Sequence, residues 1–444
     1  MSKYINPELA GGFRDYLPED MIPRQRMFDT IRGVFERFGF VPLDTPGLEK
    51  EEILTGGDPN FRMQIFRAGL RAGEEGLALR FDLTVPLARV ISAYGDKLEK
   101  PFKRYQIGKV WRGEKPQAGR FREFVQFDAD IVGSNKTSAD AEIIALMYET
   151  LVALGLSRFV IKVNNRKILN GLPSFVGLEQ TSNAEVLRTI DKLDKIGWEG
   201  VKMELVEKLN LGDSQTDKLK RFIDIRSDSQ EETLARLAGL GADSSSIEEG
   251  SNELREIISH VKSLGVPDQM WRIDLSVARG LGYYTGPVFE TTLTDIPEIG
   301  SVFSGGRFDD LVARFGERSV PATGASVGVD RLFAAMDKLG LIKKEKTVTQ
   351  VLVLNFDDQA EDYCQRIVAL LRSNKVRSEL YLGKENSLKG QLTYATKQAV
   401  PVVIIAGGTE KTKQVAQIKD MAKRRQVETP FARITDIVKT VLTF

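Results

Sequence analysis

Apolar residues recur at helical spacing early in the chain. Met27, Phe28, Ile31, Val34, Phe35 and Phe38 share one face, which predicts an amphipathic helix opening near Pro23 and stopping at Gly39. FVPLDTPGLE follows as an extended segment. Residues 77 to 133 alternate in short β-like runs, LALRFDL, KRYQIGKVW and EFVQFDADIVG, broken by a helical LTVPLARVISAYG and a polar GEKPQAG. That order predicts an antiparallel sheet with a hairpin tip at the polar loop. A helix opens at Ser138, and RFVIKV near residue 160 returns to strand. From 171 to 268 the pattern shifts to charged helices, with Val186, Leu187, Ile190 and Leu193 on one apolar face, and reads as a helical insertion. Strands resume in WRIDLSVA and PVFETTL, and SVFSGGRFDDL leads into GASVGVDRLFAAM. After Lys343–Lys346 the pattern becomes VLVL, a helix through Tyr363 and Leu371, SELYL, a helix around Leu392 and VVIIAG. This is a small α/β domain with a largely parallel sheet.

Composition narrows the chemistry. The 444 residues carry 42% hydrophobic and 28% charged positions, enough for two or three domains with cores of their own. MSKYINPELA lacks the basic start and apolar core of an export signal, and no run of about 18 apolar residues occurs, so a cytoplasmic protein with no membrane partner is expected. One cysteine, Cys364, excludes internal disulfides, and one histidine beside it excludes the usual Cys/His zinc sites. His260 falls in the helical pattern LREIISHVKSLG, with no G-x-S-x-G elbow anywhere, so a hydrolase built on a histidine base is excluded. The formal charge of +1 leaves any nucleic-acid partner to local basic patches, of which KQVAQIKDMAKRRQ, residues 413 to 426, is the densest near the carboxy terminus. A solvated face explains that stretch equally well.

Neither the phosphate-loop motif nor the dinucleotide fingerprint follows a strand, so nucleotide handling would need another device. Arg112, Arg120, Arg122, Arg279 and Arg331 lie on or beside β-like runs, and guanidinium forks match phosphate oxygens two at a time. Taken singly, each reads as a surface arginine. On one strand, Phe124, Gln126, Asp128 and Asp130 share a parity and therefore a face, which offers a polar pocket with an aromatic beside it. Tyr283 and Tyr284 follow closely spaced glycines that let a ligand approach the backbone while phenols supply hydrogen bonds.

These residues occur within longer patterns. KVWRGEKPQAGRFREFVQFDADIVG resembles the second signature motif of class II aminoacyl-tRNA synthetases, and the chain is most similar to the histidyl-tRNA synthetase family within that class. LRFDLTVPLAR, residues 79 to 89, and ARGLGYYTGPVFE, residues 278 to 290, resemble that family's two histidine-specific signatures. SGGRFDDL and GASVGVDRLF resemble the third class II motif, and the amino-terminal segment through Thr45 and Pro46 resembles the first, which forms the dimer interface in the family. The last domain resembles the anticodon-binding domain.

The resemblance implies a class II antiparallel sheet flanked by helices (an α+β fold), with a helical insertion and a carboxy-terminal α/β anticodon-binding domain. Residues 1–170 and 269–342 would be the two parts of the catalytic domain, 171–268 the insertion and 347–444 the anticodon-binding domain. It implies that Asp82 and Thr84 hold the α-amino group of histidine, with Leu83 between them in the histidine site. Gln126 and Arg112 would contact its carboxylate and the α-phosphate, Asp130, Tyr283 and Tyr284 would line the imidazole pocket, and Arg279 would sit over the reacting groups. For ATP it implies Glu114 at the adenine amino group, Phe124 stacked on the ring, Arg112 and Arg120 on phosphate and Arg331 at the γ-phosphate end. Gln117 and Arg120 would meet the tRNA acceptor end. The implied partners are L-histidine, ATP with Mg²⁺, tRNA(His) and a second copy in a homodimer, with no DNA. Two positions depart from the family pattern: Gly282 stands where an aspartate is usual, and Asp-Leu-Thr at 82–84 is a variant of Glu-Gly-Thr. A silent relative that binds histidine only as a signal, the regulatory subunit of ATP phosphoribosyltransferase, generally lacks the anticodon domain and parts of the ATP and tRNA sites. An RNA-binding sensor module is the other alternative and would be accompanied by a kinase region. This chain keeps the first set of features and has no kinase region.

Overall fold

The structure, a computed structural model, describes residues 4–56, 65–69, 76–113, 121–178, 183–240, 244–278 and 282–443. It divides into two units, one of Met1–Arg14 and Met27–Leu341, the other of Asp15–Arg26 and Ile342–Phe444. The first helix, Pro18–Arg37, opens a turn and a half earlier than the sequence pattern suggested. Proline is tolerated at a first helical position because its missing N–H has no partner there, and Glu19 and Asp20 suit the positive end of the helix.

In the first unit, strands β1 (Val41–Pro42), β2 (Leu48–Lys50), β3 (Arg67–Ala68), β4 (Leu77–Leu79), β5 (Phe102–Trp111), β6 (Glu123–Val132), β7 (Phe159–Asn165), β8 (Trp271–Ile273), β9 (Pro287–Leu293), β10 (Ser301–Arg307) and β11 (Ala322–Gly328) form two sheets. The larger has the order β1-β5-β6-β11-β10-β9-β7-β8, and the smaller is β2-β4-β3. Pairing in the large sheet is antiparallel except at its two ends, where β1 runs with β5 and β8 with β7.

Alternation divides the two faces of β6. Phe127, Ala129 and Ile131 are buried on one side, where the Phe127 ring lies 5.0 Å from Phe35 of the first helix. The other side carries Phe124, Gln126, Asp128 and Asp130 and is the floor of the candidate site. Between β7 and β8 the described residues are helical: Arg166–Val176, Asn183–Ile190, Leu193–Leu209, Asp213–Ile223, Gln230–Ala238 and Ser245–Ser263. Gln230 ties this segment to the sheet edge, donating to the Trp271 carbonyl at 3.0 Å and accepting from the Ile273 N–H at 2.8 Å.

The second unit has β12 (Val351–Val353), β13 (Ser378–Leu380), β14 (Val402–Ile405), β15 (Val415–Asp420) and β16 (Arg425–Pro430) in the order β13-β12-β14-β15-β16. The largely parallel sheet expected from sequence is in fact mixed. β13, β12 and β14 are parallel, whereas β15 and β16 are antiparallel. The reason lies in connection length: β15 and β16 are joined by a tight turn at Met421–Arg424, which can only form a hairpin. Apart from Val427 and Pro430 the exposed residues of β16 are polar, and β15 buries only Ala416 and Ile418, so the pair gives no apolar run for sequence reading to detect.

Candidate active site

The floor is organised by register. Across β5, β6 and β11, Arg104 stands opposite Asp130 and Asp130 opposite Gly324, Gln106 opposite Asp128 and Asp128 opposite Ser326, and Gly108 opposite Gln126 and Gln126 opposite Gly328. Each acidic or amide group on β6 is thus flanked by a residue small enough or polar enough to leave it room. A Cβ on Gly324 would lie 2.0 Å from Asp130 Oδ1, and one on Gly108 would lie 2.3 Å from the Arg80 guanidinium.

Arg104 is fully buried on the same face of the sheet, beside Asp130. Its Nη2 meets Asp130 Oδ2 at 2.7 Å and donates to the Leu83 carbonyl at 3.1 Å. Arg80 reaches across β5 to donate to the Thr45 carbonyl at 2.5 Å and the Lys109 carbonyl at 2.9 Å. Asp82 precedes the helix Thr84–Tyr94 and accepts from the Val85 N–H at 3.1 Å, so it fixes the helix start. Leu83 is fully buried and takes part through its carbonyl, while Thr84 is half-buried beside it.

Arg112 ends this strand pair. Its Nε donates to the Phe81 carbonyl at 3.2 Å, and its guanidinium carbon lies 5.1 Å from the Phe124 ring centre. Gln126 donates to Ser326 Oγ at 2.7 Å. Tyr283 and Tyr284 pack edge to face with ring centres 4.8 Å apart, and a hydrogen bond joins their hydroxyls. Arg331, in the helix Val329–Lys338, donates to the Ser301 carbonyl at 2.6 Å.

Burial dominates the electrostatics. It raises the Asp82 carboxyl against the opposing pull of the Val85 N–H and the charges of Arg112, Arg104 and Arg314. It pushes Asp128 up to about 7 and Asp130 up to about 6, with Arg104 opposing in both cases and the carboxylates raising one another. Burial also lifts both tyrosine hydroxyls, which keeps them neutral donors.

The structure brings Asp82, Leu83, Thr84, Arg112, Phe124, Gln126, Asp130, Tyr283 and Tyr284 to this face and its rim. Arg279, Glu114, Gln117 and Arg120 lie outside the described residues. Sequence reasoning missed Arg80, Arg104 and Ser326 and gave Asp128 no role. The parity that pairs Arg104 with Asp130 was present in KRYQIG, but only the register exposes it. His260 lines a separate cleft with Lys136, Glu253 and Glu256. Cys364 is buried, with its thiol pushed up to about 11 by burial, and is inert. In the second unit, Lys389, Lys419 and Arg424 rim a cleft of about 810 Å³ floored by Leu392, Val400 and Met421.

Comparison with known proteins accounts for this arrangement. Residues 12–332 match the family model described as histidyl-tRNA synthetase. The chain belongs to that family. Residues 350–441 match the model of the anticodon binding domain. The chain is 44% identical over 420 residues to a histidine–tRNA ligase of Wolinella succinogenes, covering 94% of each, and 42% identical to that of Clostridium tetani, covering 98% of each. The crystal structure of histidyl-tRNA synthetase from Nostoc sp. PCC 7120 superposes with a TM-score of 0.87 at 35% identity, over 98% of this chain and 100% of that one.

Proposed function

We propose that this member of the family attaches L-histidine to tRNA(His) at the expense of ATP, through a histidyl-adenylate, releasing AMP and pyrophosphate. The observation that carries this reading is a family match over residues 12–332 coinciding with a floor that gathers, on one sheet face, side chains suited to binding an amino acid.

The chemistry suits the groups present. The histidine carboxylate is ionised at neutral pH and attacks the α-phosphorus directly, so no protein base is needed. Charge gathers on the α-phosphate as the bond to pyrophosphate breaks, and fixed guanidinium groups stabilise that state more than the ground state. Arg112 and Arg279 take this role. Gln126, braced by Ser326, holds the histidine carboxylate in line for attack, and Asp82 holds the ammonium. Asp130 accepts from the ring, with Tyr283 and Tyr284 around it. Phe124 offers its ring to adenine with Glu114 at the amino group, while Arg120 and Arg331 take the outer phosphates. Gln117 and Arg120 face the acceptor end of tRNA.

No group of three or more His, Cys, Asp or Glu side chains among the described residues could cage a metal. A Mg²⁺ carried on a triphosphate needs only one or two protein carboxylates, and Glu290, buried on the same floor opposite Ser304, fits that need. The ion neutralises phosphate charge when bound.

The domain division proposed here keeps the bounds of the sequence reading: catalytic halves at 1–170 and 269–342, an insertion at 171–268 and an anticodon-binding domain at 347–444. The basic stretch 413–426 and the cleft rimmed by Lys389, Lys419 and Arg424 suit contact with the tRNA backbone. A homodimer is supported by apolar exposure near the first motif, where Leu9, Val41 and Leu48 are exposed. A cytoplasmic location follows from the role in translation, and no helix among the described residues is long and apolar enough to cross a membrane.

The test is ATP–pyrophosphate exchange with each of the twenty amino acids, followed by charging of tRNA(His). Exchange with histidine alone and charging thereafter are expected. Histidine binding without exchange would overturn the reading in favour of a histidine sensor.

A further inference from the structure

Strand β6 outruns its neighbour. The register with β11 sets Phe127 against Val327 and Gln126 against Gly328, and one step further it would set Val125 against Val329. By then the chain has turned into the helix Val329–Lys338, and the ladder ends. A strand N–H beyond the end of its ladder needs another acceptor. Asp330 supplies it: its Oδ2 accepts from the Val125 N–H at 2.7 Å in a half-buried setting. The acid sits in the first turn of its helix, where the positive end of the helix dipole favours a carboxylate.

This bond joins two elements that the ATP reading uses separately. Val125 lies between Phe124 and Gln126 in β6, and Asp330 directly precedes Arg331. Phe124 pairs with Val110 of β5 on its other edge, and the Arg112 guanidinium carbon lies 5.1 Å from its ring centre. Arg331 is anchored at Ser301, whose carbonyl accepts from its Nη1 at 2.6 Å. The Asp330–Val125 bond sets Phe124 and Arg331 relative to one another, because it crosses from helix to strand one residue away from each.

Resting on the reading of Phe124 and Arg331 as ATP-binding groups, we propose that Asp330 is a positioning residue for ATP. It holds the start of β6 against the helix Val329–Lys338, so that the aromatic ring for adenine and the guanidinium for the outer phosphates keep a fixed spacing. It acts through its neighbours and not on the nucleotide itself. Such bracing counts because groups displaced by about 1 Å can lose up to about a hundredfold in rate. The histidine end is spared. Asp130 lies five residues farther along β6, about 17 Å away, and Gln126 keeps its own brace at Ser326.

The test compares substitutions in the full-length protein. Asp330→Ala removes the acceptor, and the ATP KM in histidine-dependent exchange should rise about tenfold, with the histidine KM within about twofold. Asp330→Asn keeps a side-chain carbonyl of the same length and should bring the ATP KM back to within about threefold of the wild type. In a Phe124→Leu background, Asp330→Ala should raise the ATP KM by less than about threefold, since the ring it positions is already gone. Asp330→Ser, a milder truncation whose hydroxyl falls one bond short of the acceptor position, carries the same test if Asp330→Ala does not fold.

An ATP KM unchanged by Asp330→Ala or Asp330→Ser would overturn the proposal. So would equal losses for ATP and histidine that Asp330→Asn fails to restore, or a full tenfold effect surviving in the Phe124→Leu protein, since those mark a residue that only supports the fold. Calorimetry of ATP binding reads the same spacing without turnover. A wild-type protein that shows no exchange, but whose ATP affinity falls on Asp330→Ala and returns on Asp330→Asn, would leave this inference standing and defeat the activation reading instead.

Discussion

Asp130 sets one oxygen against Arg104 on the neighbouring strand and lays the other over the backbone of Gly324 on the strand beyond, which makes it a fixed acceptor rather than a swinging one. Asp130→Ala is expected to raise the histidine KM by at least about tenfold and leave the ATP KM within about twofold, because a site built on hydrogen bonds discriminates when they are removed. Steady-state exchange with each substrate varied in turn checks this. The same residues set a pH dependence of stability. In the unfolded chain an aspartate titrates near 3.9, whereas burial holds Asp128 near 7, so the folded state keeps a proton that the unfolded state has lost between those values. Raising the pH through that window strips the proton and lowers stability. Thermal melting of the ligand-free protein should therefore show Tm falling as pH rises from about 5 to about 7.5, with a shallower fall in Asp128→Asn. At this scale the sequence was readable where chemistry and parity coincide, as at Gln126 and Asp130. It was silent on Arg104 and Arg80, since an arginine in a strand reads as a surface residue until a register places it against a carboxylate.

The elements that carry the tyrosines are held from behind by a buried ion pair. Arg307, at the end of β10, meets Asp140 at 2.6 Å and donates to the carbonyls of Ser134 at 2.9 Å and Lys136 at 3.1 Å. Its own carbonyl accepts from the Thr285 N–H at 2.8 Å, next to Tyr284. Asp140 is fully buried in the helix Thr137–Ala153, so Asp140→Ala leaves the buried Arg307 guanidinium with only the longer 3.3 Å pairing to Asp309 and is expected to cost about 3 kcal/mol, read by urea unfolding. Histidine affinity should suffer in proportion to the loosening of residues 282–286, whereas helical content stays the same. Strands and helices of the first unit were legible because apolar periodicity switches between two and 3.6 residues. The hairpin of β15 and β16 was not, since its register rests on a tight turn and backbone pairing rather than on apolar alternation.

At the scale of the whole molecule, a total charge of +1 hides a basic second unit, and the two half-reactions should separate by their response to salt. Exchange uses small substrates in a built pocket and should change little between 50 and 200 mM salt, whereas charging should lose tRNA affinity steeply as counterion release weakens. Replacing Lys389, Lys419 and Arg424 together by alanine should raise the tRNA KM and flatten that salt slope, with histidine-dependent exchange unaffected. The family could be read from several ordered motifs spread along the chain, but the gathering of Asp82, Gln126 and Tyr284 from three distant segments depends on strand order, which no local pattern encodes. The glycines of β10 and β11 bear on redesign. A Cβ on Gly305 would lie 2.0 Å from the Gly324 carbonyl oxygen, and one on Gly306 would lie 2.7 Å from that of Pro287. A library meant to teach this enzyme a new amino acid would lose every member randomised at those positions to misfolding. Its useful diversity lies on β6 and in the tyrosine segment, where side chains already stand and can be exchanged for others.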